Sequence, residues 1–305
     1  MKEQAEFQHY LSETTVFVNG EQVLPEKASI SIFDRGFLFG DSIYEVCYGQ
    51  DGALLFFEDH MERLVNSAQL LKIHFYLSLE EIKDQIFKTL KASGLKDAMI
   101  RIILTRGESI ISLDPNKSFK NNLVTIARPR PHYSDEYYQK GVFLWLGDIL
   151  RNDKRSVDPN AKSGNYLNNV MALEQAKEMG AYDAIMLNKE GKVTEGTTFN
   201  IWIVKNKTII TPPISSGLLA GITRANILKL CQSQLKQVEI KDISIDDLKA
   251  ADEVFITSST RKIIPVNKIN DIFYGNSIED WPITKGLMLD FDNLVKQQPK
   301  EYKYL

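Results

Sequence analysis

The first clear pattern along the chain is a pair of short alternating runs, Val16-Phe17-Val18 and Glu21-Gln22-Val23-Leu24, joined by Asn19-Gly20. Asn-Gly accepts the two positive φ angles of a type I′ turn, so the stretch predicts a hairpin. Residues 1–14, ahead of it, read as a loosely held extension. Strands are expected at 42–48 and 53–57, around Asp51-Gly52. Helices follow at 58–71, where Met61, Leu64, Val65, Ala68 and Leu71 recur at helical spacing, and at 79–92, ended by Gly94. Two further apolar runs, 99–105 and 123–127, read as strands.

Arg128-Pro129-Arg130-Pro131 interrupts this pattern. Two prolines one residue apart cannot sit inside a regular element, and they restrict the residues before them. The chain is therefore expected to divide into 1–130 and 131–305. In the second part, strands are predicted at 142–146, 184–187, 192–194, 199–204, 208–211 and 253–257. Helices are predicted at 166–179, 223–235 and 283–295. The helix at 166–179 carries an apolar stripe of Leu167, Val170, Met171, Leu173 and Ala176, with Gly180 as its stop. Strand groups that do not alternate strictly with helices indicate an α+β fold with mostly antiparallel pairing.

Composition narrows the class. The 305 residues carry 43% hydrophobic and 25% charged side chains, as in an ordinary globular protein. A net charge of −3 gives no basic footprint for nucleic acid. No apolar run approaches the roughly 20 residues of a membrane span. The N-terminal MKEQAEFQHY lacks the apolar core of a secretory signal. Cys47 and Cys231 read as reduced core residues, which suits the cytoplasm. His9, His60, His74 and His132 show no metal-ligand spacing, so no metal is expected.

The chemistry begins at Lys162 in NAKSGNYL, just before the start of the 166–179 helix. A helix N-terminus disfavours an ammonium, which makes this a place for a lysine used as a nucleophilic amine. Glu195 and Gly196 break the strand-like VTEGTTFN, offering a carboxylate beside a position where a ligand can approach closely. Gly221-Ile222-Thr223 opens a helix whose free N–H groups could seat an anion. Ser258-Ser259-Thr260 supplies hydroxyls and amides of the same kind. Arg63 adds a cation. An amine, an acid, a cation and two anion seats are the parts that pyridoxal phosphate requires.

In order and spacing, FVNG, DRGFLFGDSIYEV, DHMERL, the long KSGNYL…VTEGTTFN block, GLLAGITR and DEVFITSST…IPV resemble the class IV pyridoxal-phosphate aminotransferases. That group holds branched-chain and D-amino acid aminotransferases and aminodeoxychorismate lyases. The resemblance implies a fold-type IV architecture with a small N-terminal α/β domain and a larger C-terminal domain, the cofactor between them, and a homodimer. It implies that Lys162 forms the Schiff base, that Tyr166 bonds the cofactor's phenolic oxygen, and that Glu195 faces the pyridine nitrogen. Arg63, Ile222, Thr223, Ser258 and Ser259 would hold the phosphate, and Leu218 or Leu219 would pack on the ring.

The same resemblance places Phe39, Tyr44 and Arg101 in the substrate pocket. After TRG, where D-amino acid enzymes carry an arginine and a histidine, this chain reads Glu108-Ser109-Ile110-Ile111-Ser112-Leu113. The expectation is an aminotransferase using 2-oxoglutarate or a similar keto acid with a branched-chain or other aliphatic amino acid. A D-amino acid aminotransferase with a non-standard carboxylate site, an aminodeoxychorismate lyase, and a non-catalytic cofactor-binding protein are the alternatives.

Overall fold

The computed structural model describes residues 2–298 and 300–305. Met1, at the start of the expected extension, and Pro299, in the polar tail, lie outside the described residues. The chain separates into two compact units. Unit 1 holds the residues up to Pro131 together with Ala161–Asn165 and the tail from Gln298 to Leu305. Unit 2 holds His132–Asn160 and Tyr166–Gln297. The two short returning segments belong to unit 1 although they lie beyond the Pro129–Pro131 break.

Unit 1 runs α1 (Lys2–Ser12), β1 (Thr15–Val18), β2 (Glu21–Val23), α2 (Arg35–Phe39), β3 (Ser42–Gln50), β4 (Ala53–Leu54), α3 (Phe57–Leu70), α4 (Leu79–Ser93), β5 (Ala98–Thr105) and β6 (Leu123–Pro129). The strands form one antiparallel sheet in the order β2-β1-β6-β5-β3-β4. The first hairpin turns through Asn19 and Gly20, both at positive φ. Its core joins Ile43 and Cys47 of β3 to Leu64 of α3, Ile86 of α4 and Ile100 and Ile102 of β5. These sheet residues alternate along their strands, and the helical ones recur at three- and four-residue spacing.

Two expectations need correction here. The extension at 1–14 is mostly helical, because α1 occupies Lys2–Ser12, and the Arg128 guanidinium lies 3.2 Å from the Tyr10 ring centroid. The strand expected at 53–57 is only two residues long. Its ladder continues with the tail instead: Leu54 N donates to Tyr302 O, and Tyr304 N donates to Gly52 O.

Unit 2 contains α5 (Asp135–Lys140), β7 (Val142–Leu146), α6 (Leu167–Glu178), β8 (Asp183–Leu187), β9 (Val193–Gly196), β10 (Asn200–Lys205), β11 (Thr208–Thr211), α7 (Ile222–Ser233), β12 (Val238–Ile240), α8 (Ile245–Lys249), β13 (Glu253–Ser258), β14 (Lys262–Ile269), β15 (Ile272–Phe273) and α9 (Pro282–Lys296). Its sheet follows β12-β11-β10-β13-β14-β7-β8-β9, with β15 beside β14 and β9 also pairing β10. Three pairs are parallel, β11–β12, β14–β7 and β7–β8, and the rest are antiparallel.

Of the apolar stripe expected on α6, only Ala176 is fully buried. Asn169, Ala172 and Ala176 are buried, whereas Leu167, Val170 and Met171 are exposed. Small alanines let the helix lie close against Ala184 and Met186 of β8, and the Asn169 amide is satisfied by donating to Thr197 O at 2.7 Å. Among the described residues no helix is long and apolar enough to cross a membrane. Cys47 and Cys231 are free thiols, both buried.

Candidate functional site

In unit 1 the lysine segment is stitched to two elements. Ser163 forms an antiparallel bridge with Ile43, Tyr44 N donates to Lys162 O at 2.9 Å, and Gly164 N donates to Ser42 O at 2.9 Å. On the other side, Lys162 N donates to Ser67 Oγ of α3 at 3.1 Å. Ser67 Oγ in turn donates to Arg63 O at 2.8 Å. Residues 161–165 thus act as a short added strand on β3, which fixes where the Lys162 side chain starts.

The Lys162 Nζ donates to Tyr44 Oη at 3.2 Å and lies 4.4 Å from the centroid of that ring. The Arg101 guanidinium stands 4.1 Å from the same centroid. A buried tyrosine therefore contacts both cations, and Lys162, Tyr44 and Arg101 are brought together. Phe39 ends α2 and is half-buried, with the Arg35 guanidinium 5.1 Å from its ring.

Arg63 projects from the middle of α3 toward β3. Its Nε donates to Glu45 Oε1 at 2.6 Å and its Nη2 to Glu45 Oε2 at 2.8 Å. His60, one turn earlier, contacts Glu45 Oε2 through Nδ1 at 2.8 Å. Glu45 is fully buried. Burial opposes its ionisation, but the Arg63 charge and the hydrogen bonds from Arg63 and His60 hold the carboxyl well below the usual range. Because Glu45 is then an acceptor only, His60 Nδ1 carries the proton of that bond. Burial also pushes His60 down, against the pull of Glu45.

Unit 2 gathers a second set. Glu195, at the end of β9, accepts from Arg151 Nε at 2.9 Å through Oε1, and from Leu219 N at 3.1 Å through Oε2. Asn200 reaches the same carboxylate at 3.5 Å and donates to Leu219 O at 3.0 Å. This ties Glu195 to the loop that leads into α7, where Leu218 is buried. Gly221 is the N-cap of α7, and no side chain caps that terminus. A side chain at Gly221 would collide with Asn200 Oδ1, so the close approach requires glycine. Ile222 and Thr223, both buried, supply the first amides of the helix.

Ser258 ends β13, and its hydroxyl contacts Thr260 Oγ1 at 3.1 Å and accepts from Arg261 N at 3.2 Å. Ser259 follows in the turn between β13 and β14. Tyr166 is the N-cap of α6 rather than part of its first turn. Glu195, Leu218, Leu219, Ile222 and Thr223 are thus linked through Asn200 and its neighbours, while Ser258 and Ser259 form a separate turn.

Each unit by itself offers groups that an anionic, ring-bearing cofactor can use. There is an amine aimed by a hydroxyl, a guanidinium with a fixed orientation, an uncapped helix start and a carboxylate clasped by an arginine. Sequence reading missed Arg151, Asn200, Ser67, Glu45 and His60. Glu45 could have been found, because it shares the core-facing register of Ile43 and Cys47, where a charge needs a partner. Arg151 sits in an irregular segment with no periodic signal.

Comparison with known proteins shows what the chain as a whole is similar to. The profile described as Amino-transferase class IV matches residues 42–269. A Methanocaldococcus jannaschii protein provisionally named a branched-chain-amino-acid aminotransferase is 36% identical over 279 residues, 92% of this chain and 96% of that protein. The D-alanine aminotransferase of Bacillus licheniformis is 32% identical over 280 residues, again 92% and 96% of the two chains. Among solved structures, the branched-chain aminotransferase of Thermoproteus uzoniensis with norvaline aligns with a TM-score of 0.85 and 30% identity, covering 95% of this chain and 97% of that one. The Escherichia coli branched-chain enzyme aligns at 0.87 with 26% identity, over the same shares of the two chains.

Proposed function

The chain belongs to the class IV aminotransferases, and from that premise we propose that it transfers the amino group of a branched-chain or other aliphatic amino acid to 2-oxoglutarate or a similar keto acid. The family's cofactor is pyridoxal 5′-phosphate, which when bound supplies an electron sink for the pair left at the substrate Cα as its proton departs.

Lys162 would hold the cofactor through its amine, and once the substrate's amino group has taken that place the freed amine would accept the proton leaving the substrate Cα. Tyr44 Oη, 3.2 Å from Nζ, keeps the amine aimed between those steps. Glu195 serves the pyridine nitrogen, and Arg151 and Leu219 N fix the carboxylate plane for that role. Tyr166 would bond the cofactor's phenolic oxygen and Leu218 would pack on its ring. Arg63, the α7 amides of Ile222 and Thr223, and the Ser258-Ser259 turn hold the phosphate. Phe39, Tyr44 and Arg101 line the substrate pocket. We further propose that the enzyme works as a homodimer in the cytoplasm.

The observation that carries this reading is the Lys162 segment, laid on β3 and pinned by Ser67 so that Nζ meets Tyr44. The similarity to D-alanine aminotransferases favours D-amino acids as the second substrate reading. The test is a panel of half-reactions. The yellow cofactor-loaded enzyme is mixed with single L- and D-amino acids, and loss of the visible band is followed. Bleaching by L-leucine, L-isoleucine or L-valine is expected. Bleaching by D-alanine alone would transfer the assignment to the D-series, and none by any amino acid would reject transamination.

A further inference from the structure

Arg63 presents a physical puzzle if it is a phosphate ligand. Its charge is already balanced by Glu45, a fully buried carboxylate that takes Nε and Nη2 in a two-point grip. A second donor, His60 Nδ1, holds Glu45 Oε2 from the same helix, one turn before Arg63. Two-point pairing fixes the guanidinium plane as well as its position, and a carboxylate held from two sides cannot turn. The cost is net charge: the pair offers an arriving anion little long-range attraction. Burying a carboxylate at this site would only weaken phosphate binding if charge were what mattered.

We propose that Glu45 is a positioning residue: braced by His60, it sets the orientation of the Arg63 guanidinium, so that Arg63 serves the cofactor's phosphate through directed hydrogen bonds rather than through free charge. This rests on the reading of Arg63 as a phosphate ligand. It makes a prediction opposite to the electrostatic one. Glu45→Gln unmasks a positive charge next to the phosphate site, so a charge-driven site would bind phosphate more tightly. An orientation-driven site binds it more weakly.

The experiment measures the affinity of the cofactor-free protein for pyridoxal 5′-phosphate and, separately, for pyridoxal, which lacks the phosphate. The readout is the ratio of the two dissociation constants, in wild type, Glu45→Gln, His60→Gln, Arg63→Lys and the Glu45→Gln/Arg63→Lys double variant. Loss of one charge-assisted hydrogen bond corresponds to about 10- to 100-fold in affinity. Glu45→Gln is expected to weaken pyridoxal phosphate by that order and to leave pyridoxal within about twofold of wild type. The double variant is expected to lose no more than Arg63→Lys alone.

His60→Gln is expected to give a smaller loss in the same direction, and it carries the test if Glu45→Gln does not fold. Equal losses for both ligands would mark Glu45 as structural and overturn the proposal, as would tighter phosphate binding in Glu45→Gln. If Arg63→Lys leaves the ratio unchanged, the phosphate role of Arg63 itself is wrong. If Arg63→Lys changes the ratio and neither Glu45→Gln nor His60→Gln does, only the positioning role fails.

Discussion

The buried charged residues of the candidate site work in pairs whose members come from different elements, Arg63 with Glu45 and Arg151 with Glu195. Arg151 precedes Lys162 by eleven residues, yet its Nε meets Glu195 at 2.9 Å with both side chains nearly buried. Removing one partner of such a pair leaves an uncompensated charge, at a cost of about 3–5 kcal/mol. Arg151→Met is therefore expected to lower unfolding stability by a few kcal/mol in urea titration and to weaken cofactor retention. A change below about 0.5 kcal/mol, the range of an ordinary surface substitution, would show that Glu195 does not depend on it.

The Glu45 group also gives stability a pH dependence of definite sign. Glu45 has a depressed folded pKa, so its contribution is present above the unfolded carboxylate value of about 4.3 and is lost as pH falls through the lower folded value. The His60 value is also depressed in the folded state, chiefly by burial. Unfolded histidine takes up a proton near about pH 6.5, so folding loses ground as pH drops below that point. Arg63, Lys162 and Glu45 are the charges that act on it. Unfolding free energy is expected to rise from about pH 5 to 6.5, and His60→Gln should flatten that rise. An unchanged slope in the variant would assign the dependence to other groups.

At the scale of elements, helices with strong periodicity, α3 and α4, were legible almost to the residue. Helix α4 even carries a capping box between Ser78 and Glu81. The Asn19-Gly20 hairpin was equally plain. Helix α6 was legible as a helix but not in its orientation, because its contact face is made of alanines and an asparagine while its larger apolar residues face outward. Hydrophobic periodicity assumes that the biggest apolar residues are buried, and a close helix–sheet contact reverses that. Ala176→Leu is expected to overpack α6 on β8 and cost about 1–3 kcal/mol, read from the denaturation midpoint. A neutral result would mean the helix has room there.

Strand β14 was invisible for a different reason: Lys262, Pro265 and Lys268 break its apolar run, though Pro265 still lies opposite Phe255 in the ladder. The strand expected at 53–57 shrinks to β4, which pairs β3 on one side and meets the tail, 250 residues away, through the Ala53–Lys303 bridge on the other. Tyr304 is buried there, with its hydroxyl donating to Lys96 O at 2.9 Å. A side chain at Gly49 would run into that ring. Tyr304→Ala is expected to destabilise unit 1 by about 3–5 kcal/mol, as for other large-to-small core changes. A cost under about 1 kcal/mol would show that the tail is dispensable.

On the scale of the whole chain, sequence order and structural membership part company at the residues that matter most. The Pro129–Pro131 break is visible in the sequence, but nothing local says that Ala161–Asn165 returns to unit 1. That return depends on long-range bonds from Ser163 and Lys162 to β3 and α3, which only the assembled fold supplies. The lysine was legible from its motif, and its roles from resemblance. Its seating was not, and the seating gives the functional reading its physical basis.

The most direct test of that reading is to locate the covalent attachment. The cofactor-loaded enzyme is reduced with borohydride, digested, and mapped by mass spectrometry. The account predicts a phosphopyridoxyl mass on the peptide containing Lys162, and no such label in Lys162→Ala. A label on another lysine in the wild-type protein, or a label that persists in the variant, would contradict it.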